Sequence, residues 1–162
     1  MFEKFGEFDS YEEINRAAKA QLEEGDLEAI KTIAEENGLD PEDAEDFCTG
    51  AIEELTTPCL AAIGKLELEA KDLKLEGALK DWTDSIKQSC MENEEMALAV
   101  RKKGKSLKDC MAMILKKAFG EKTQLDDRIT KAADLRPPLY ISIPGKAQIK
   151  EIVREHYLGE KK

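Results

Sequence analysis

The chain has 162 residues, 37% of them charged and 41% hydrophobic, and its formal net charge at pH 7 is −10. That length can bury a hydrophobic core, either in one globular domain or in two small helical subdomains. No apolar run approaches the roughly 20 residues of a transmembrane helix, and the segment Met1–Phe5 lacks the basic start and apolar core of a signal peptide. We therefore expect a cytoplasmic protein that does not insert into a membrane.

Three short helices are predicted before residue 50. Each begins after a side chain that can accept a hydrogen bond from first-turn amides, and the first two end at a glycine. The third begins with proline, which is tolerated at the first helical position because no hydrogen bond is lost there. The predicted helices run from Tyr11 to about Glu24 after Ser10, from Leu27 to Asn37 after Asp26, and from Pro41 after Asp40.

Four further helices and one strand are predicted after residue 57. The segment Leu139–Ile143 alternates apolar residues as a short strand does, so we expect either a short pairing elsewhere or an extended connector. The fold class is thus mainly α, a small helical bundle of about six to seven helices with one short C-terminal strand or extended segment. The four helices are one from Pro58 to near Gly77, one with Leu75, Leu79, Trp82 and Ile86 on a single face, one from Leu107 to Phe119 after Ser106, and one from Lys146 to Leu158.

Charge is divided unevenly along the chain. Residues 1–100 carry 27 acidic and 9 basic side chains, whereas residues 101–162 carry 8 acidic and 16 basic ones. This contrast predicts an acidic helical region, 1–100, and a basic helical region, 101–162, which can equally form one continuous domain. If they form two lobes, the boundary should lie within Glu94–Lys105, where the sign of the charge changes and Gly104 interrupts the helical pattern.

Acidic residues are most concentrated between positions 20 and 54, where thirteen acids accompany a single base, Lys31. Such a surface repels nucleic acid and attracts basic protein grooves. The plainer interpretation is a solvated helical face that keeps the protein soluble. The candidate partner-binding residues are Glu23, Glu24, Asp26, Glu28, Glu35, Glu36, Asp40, Glu42, Asp43, Glu45 and Asp46.

A basic stretch directly follows the acidic half. It can contact phosphate groups, or it can pair with the acidic half of its own chain. It lacks interleaved aromatic residues, so it has no stacking platform for single-stranded nucleic acid. The candidate basic patch consists of Arg101, Lys102, Lys103, Lys105 and Lys108, within a stretch that extends to Lys117.

The sequence lacks the residue patterns of catalytic and metal sites. His156 is the only histidine, so a histidine-rich metal site cannot form, and because it lies beside Tyr157 near the end of the chain we expect a structural or exposed side chain and no catalytic triad. No glycine-rich phosphate loop is present, and a calcium loop starting at Asp40 would have Glu45 where glycine is required. The helix from Pro41 is too acidic to read DNA as part of a helix-turn-helix. The four cysteines form no Cys-x-x-Cys pair, so we expect them to be small buried thiols. From all these patterns together we expect no metal, no cofactor and no enzymatic activity.

Two segments of the basic region resemble a known family. Lys105–Leu115 resembles the central helix of the PcfK-like family, whose members belong to conjugative elements of Gram-positive bacteria. Glu155–Leu158 resembles that family's closing helix, although Leu158-Gly159-Glu160 replaces its usual aromatic and acidic run. The resemblance covers about residues 100–160. Because some members are described as anti-CRISPR proteins that inhibit Cas9, it implies a mobile-element protein that binds a CRISPR effector in the cytoplasm of a bacterial host cell.

Three functions fit these observations. The first is inhibition of a CRISPR effector, in particular Cas9, either by acidic residues that mimic nucleic-acid phosphates or by an allosteric clamp. The second is a conjugation accessory protein that binds nucleic acid or a relaxosome partner through Arg101–Lys117. The third is a non-enzymatic helical adaptor or homo-oligomer. We rank the inhibitor first because it uses both the resemblance and the acidic half of the chain.

Overall fold

Residues 3–159 are described by a computed structural model, which is 66% helical. This part of the chain contains nine helices and one two-stranded sheet, which confirms the predicted, mainly α fold class. In chain order the elements are α1 (Tyr11–Glu24), α2 (Leu27–Glu36), α3 (Pro41–Thr49), α4 (Pro58–Asp72), α5 (Ala78–Glu92), α6 (Glu94–Arg101), α7 (Leu107–Gly120), β1 (Thr123–Gln124), α8 (Asp127–Ala132), β2 (Tyr140–Ile141) and α9 (Lys146–Leu158).

The predicted caps form as hydrogen bonds in the structure. Ser10 Oγ accepts from the Glu13 amide at 3.2 Å, and an Asp26 carboxylate oxygen accepts from the Ala29 amide at 2.9 Å. These bonds satisfy amides that have no partner within their own helix. Gly25 ends α1 in the left-handed conformation, with φ of 75°, which glycine adopts without steric cost.

The structure contains two helices that the sequence does not predict, α6 and α8, and a strand, β1, whose position the sequence leaves open. Helix α6 follows α5 after a single residue, Asn93, which ends one helix and whose side chain accepts from the Glu95 amide of the next at 2.9 Å. No glycine or proline marks that break. Strand β1 pairs antiparallel with β2, with Thr123 opposite Ile141, and thereby supplies the partner that the predicted strand required.

The helix predicted from Pro58 to near Gly77 is shorter than expected. It ends at Asp72, and Lys74 takes a left-handed conformation with φ of 51° before α5 begins at Ala78. Leu75 therefore lies in the connection between α4 and α5. It still packs with Leu79 and Trp82 against the same core as predicted from their spacing.

Two clusters of buried apolar residues form the interior. The N-terminal core joins α1, α2 and α3 with the segment before α4, whereas the C-terminal core joins α4, α5, α6, α7 and α9. Helix α4 contributes to both cores, because Ala61 belongs to the first while Ala62 and Leu66 belong to the second. The predicted boundary within 94–105 falls inside the C-terminal core, since α6, α7 and α9 share it.

Helix α4 approaches the end of α2 closely at a pair of glycines. A Cβ atom on Gly64 would collide with the carbonyl oxygen of Asn37, and one on Gly38 would collide with the backbone of Gly64. Both obstacles are backbone atoms, which cannot rotate away as a side chain can. Glycine at these two positions therefore sets the distance between the two segments.

Buried polar groups on α4 fix the loop between α6 and α7. The Lys65 ammonium is buried and donates hydrogen bonds to the carbonyl oxygens of Lys102 at 2.8 Å and Lys105 at 2.7 Å. Its Nζ also lies 3.4 Å from a carboxylate oxygen of Glu7. Burial lowers the pKa of Lys65, and the negative charges of Glu69 and Glu7 oppose this shift.

A second set of buried bonds connects α6 with the end of α2. Arg101 is only 1% exposed, and its Nη2 donates to Asn37 Oδ1 at 2.6 Å. Asn37 is also buried, and its side-chain Nδ2 donates to the carbonyl oxygen of Ile33 at 2.7 Å. On α4, the Glu69 carboxylate accepts from the Leu107 amide at 3.2 Å. The bond between Arg101 and Asn37 therefore connects an element of the C-terminal core with an element of the N-terminal core.

Candidate functional site

Three of the eleven candidate acidic residues have structural roles. Asp26 caps α2, and Asp40 caps α3 by accepting from the Glu42 amide at 2.9 Å. Glu36 is only 9% exposed, and its two carboxylate oxygens accept from the amides of Lys4 at 2.6 Å and Phe5 at 3.0 Å. The expectation that Glu36 meets a partner is therefore wrong, because its carboxylate anchors the N-terminal segment instead.

The remaining candidate acids are exposed, apart from the half-buried Asp43. They lie on three consecutive helices that pack around the N-terminal core, with α2 contacting both α1 and α3. Among the described residues, Glu28 is the only member in an ion pair, with Lys31 at 3.3 Å. We define the acidic surface as Glu23, Glu24, Glu28, Glu35, Glu42, Glu45 and Asp46.

Helices α2 and α3 pack against each other within this surface. The pKa of the Cys48 thiol on α3 is raised, first by burial and then by the negative charges of Glu28 and Glu45, while Lys31 opposes the shift. Glu28 and Glu45 are 17 positions apart in the sequence, and their charges raise the pKa of the same thiol. The fold thus concentrates negative charge beyond what either helix carries alone.

Two leucines near the turn between α1 and α2 are exposed within this acidic surrounding. Leu22 is 36% exposed and Leu27 is 44% exposed. Leu22 continues the spacing of the buried residues Ile14 and Ala18, so periodicity alone predicts burial, and the sequence gives no signal of its exposure. Apolar side chains surrounded by charged ones are typical of surfaces that bind another protein.

The candidate basic patch is only partly available at the surface. Arg101 is buried against Asn37, so its assignment as a surface contact is wrong. Lys105 is half-buried, and its ammonium donates to the carbonyl oxygen of His156 at 2.7 Å. The exposed members of the patch are Lys102, Lys103 and Lys108.

Within the described residues, the cysteines and the histidine show no arrangement typical of a catalytic site. Burial raises the pKa values of the Cys90 and Cys110 thiols to about 12, which keeps them protonated. Cys48 and Cys59 are half-buried. Burial, and to a lesser extent the charge of Lys105, lowers the pKa of the half-buried His156. In residues 3–159, no group of three or more acidic, histidine or cysteine side chains has the geometry to hold a metal ion.

No helix among the described residues is both long and apolar enough to cross a lipid bilayer. Comparisons of the chain with protein-family models, with curated proteins and with solved structures found no match. The main candidate for a functional site in the described chain is the acidic surface on α1, α2 and α3.

Proposed function

We propose that this protein is a non-enzymatic binding protein whose acidic surface docks on a basic groove of another protein. The observation that carries the proposal is the exposure of seven acids on three packed helices, with a single ion pair among them in the described chain. Charges that have no partner of their own remain available to a partner protein. Complementary charge of this kind accelerates association and selects the partner.

The partner that we propose is a Cas9-type CRISPR effector, following the resemblance of residues 100–160 to the PcfK-like family. Such effectors hold the guide–target duplex in a positively charged channel. Carboxylates held on a rigid helical scaffold can occupy that channel in place of phosphates. A nucleic-acid backbone presents no apolar side chains. Leu22 and Leu27 can therefore make apolar contacts with the effector that a bound nucleic acid does not make, which favours specific binding over charge attraction alone.

The competing proposal, nucleic-acid binding through the basic patch, has weaker support. Two of its five members, Arg101 and Lys105, bond to atoms of the protein itself. Lys102, Lys103 and Lys108 remain, and three exposed lysines are common on protein surfaces. The acidic surface, by contrast, would repel the same polyanion.

A cleavage assay with order of addition tests the proposal. The purified protein is added to a panel of Cas9 subtypes either before or after guide loading, and a pull-down measures complex formation in parallel. Inhibition together with co-purification supports the proposal, and inhibition only when the protein precedes the guide would locate the contact in the guide channel. Full cleavage and no co-purification across the panel would overturn Cas9 as the partner.

A further inference from the structure

A cleft of about 500 Å³ lies between α5 and α9, away from the acidic surface. Its apolar lining includes Ile86 from α5 and Ile149 and Val153 from α9, which are all buried in the C-terminal core. Trp82 lines the cleft and is half-buried against the same core. The volume falls within the range of about 300–1,000 Å³ that is typical of small-molecule sites.

The α9 side of the cleft is positively charged. Lys146 and Lys150 lie one helical turn apart, line the cleft and are exposed. Neither forms an ion pair with another residue of the described chain. Helix α9 has no acidic residue in its first turn, and its N-cap, Gly145, has no side chain to bond the first amides. The helix dipole adds a partial positive charge at this end.

Two carboxylates, those of Asp81 and Glu92, line the α5 side, so the formal charges of the lining balance and the positive charge is confined to the α9 side. Glu92 accepts a hydrogen bond from Gln88 Nε2 at 2.9 Å. Asp81 lies in the first turn of α5, where the positive end of that helix dipole already compensates an acidic side chain. The cleft therefore combines an aromatic ring, an apolar floor and two ammonium groups that form no ion pair within residues 3–159.

We propose that this cleft binds a small molecule with a planar aromatic body and an anionic head group. The planar body would lie against Trp82 and the apolar floor, because aromatic rings contact one another favourably when stacked with an offset or edge to face. The head group would take the charge of Lys146 and Lys150. This inference does not depend on the acidic surface, and it assigns the molecule a second, separate ligand.

Two probes test the proposal, and Trp82 is a built-in reporter because it is the only tryptophan. Adenosine 5′-monophosphate carries a phosphate head group, and 8-anilinonaphthalene-1-sulfonate carries a sulfonate. Calorimetric titration and Trp82 fluorescence are measured with the full chain. The expected result is saturable binding of at least one probe at one site per chain, with a change in Trp82 emission.

The matched variants separate the cleft from general charge effects. Lys146→Glu/Lys150→Glu should weaken probe binding at least tenfold, whereas Lys108→Glu/Lys116→Glu should leave it within twofold. The control pair makes the same change in net charge at exposed positions of α7 that do not line the cleft. Near-ultraviolet circular dichroism verifies that both variants are folded.

The outcomes of this titration are distinct. Binding of the phosphate probe alone supports a phosphate-bearing aromatic ligand, and binding of both probes supports aromatic anions in general. The proposal is overturned if neither probe binds saturably, or if the α7 control pair weakens binding as much as the cleft pair does.

Discussion

Lys65 is a lysine whose side chain is almost completely buried. A lysine side chain is rarely buried without partners, because removing an ammonium group from water is costly. Here the ammonium group replaces its water with two backbone carbonyl oxygens and a carboxylate of Glu7. Burial still lowers its pKa, so the compensation is incomplete. The same group holds the loop between α6 and α7 in place.

Replacing Lys65 tests this role directly. Lys65→Met keeps the length of the side chain but leaves the carbonyl oxygens of Lys102 and Lys105 without their donor. We expect the free energy of unfolding in urea to fall by about 1–3 kcal/mol. Lys71→Met, at an exposed position of the same helix, should change it by less than about 0.5 kcal/mol. A Lys65→Met protein as stable as the original would show that the buried contacts contribute nothing net.

His156 gives a pH dependence whose sign follows from its burial. Its folded-state pKa lies below the ordinary value of 6.5, first because of burial and then because of the charge of Lys105. The unfolded chain therefore binds a proton more readily, so stability should fall as pH drops from about 6.5 toward the folded pKa. His156→Gln should flatten this part of the profile, measured as urea midpoints between about pH 5 and 7.5. Identical slopes for both proteins would refute the assignment.

At the scale of elements, the approach of α4 to the end of α2 depends on a missing side chain. Gly64→Ala would place a methyl group against backbone atoms of Asn37 and Gly38. The expected loss of stability is about 1–3 kcal/mol, as for other overpacked sites. Thermal unfolding measures it as a lower midpoint. If Gly64→Ala unfolds at the original temperature, the two segments can separate without cost.

Gly120→Ala is the matched control for this substitution. Gly120 is the last residue of α7, and a Cβ atom there would meet nothing within 4 Å. Alanine favours the helix over glycine by roughly 0.5–1 kcal/mol, so the control should be neutral or slightly stabilising. The opposite signs expected for the two substitutions distinguish a packing effect from helix propensity.

The sequence predicts these elements where the deciding contact is local. Ser10, Asp26 and Ser106 each bond an amide three positions further on, so the signal lies within one turn of chain. Arg101 is the opposite case, because its partner Asn37 is 64 positions away and charge patterning places the guanidinium at the surface. The sequence does not predict helix α6 because Asn93 joins two helices without a glycine or proline at the break.

The candidate site likewise has some features that a local sequence pattern predicts and others that depend on distant contacts. Concentration of acids between residues 20 and 54 is visible in the sequence, and the structure leaves most of them exposed. The burial of Glu36 depends on amides more than 30 positions earlier in the chain, which no local pattern reveals. The cleft beside Trp82 likewise needs α5 and α9 to be positioned by the C-terminal core.

At the scale of the whole molecule, the acidic helices and the cleft occupy different parts of the fold. The acidic surface lies on the helices of the N-terminal core, whereas α5 and α9 belong to the C-terminal core. Binding through exposed charges weakens as salt screens them, with a Debye length of about 10 Å at 0.1 M. An interaction through the acidic surface should therefore lose association rate as ionic strength rises.

The proposed inhibition of a Cas9-type effector by the acidic surface is tested in a cleavage assay with two charge-matched triple variants. Glu42→Lys/Glu45→Lys/Asp46→Lys reverses the exposed charges of α3. Asp72→Lys/Glu76→Lys/Glu151→Lys reverses three exposed acids elsewhere and brings the net charge from −10 to the same value. We predict that the α3 variant needs at least tenfold more protein for half-maximal inhibition, while the control stays within twofold of the original. Equal inhibition by all three proteins, or equal loss in both variants, would show that the acidic residues of α3 do not form the inhibitory contact.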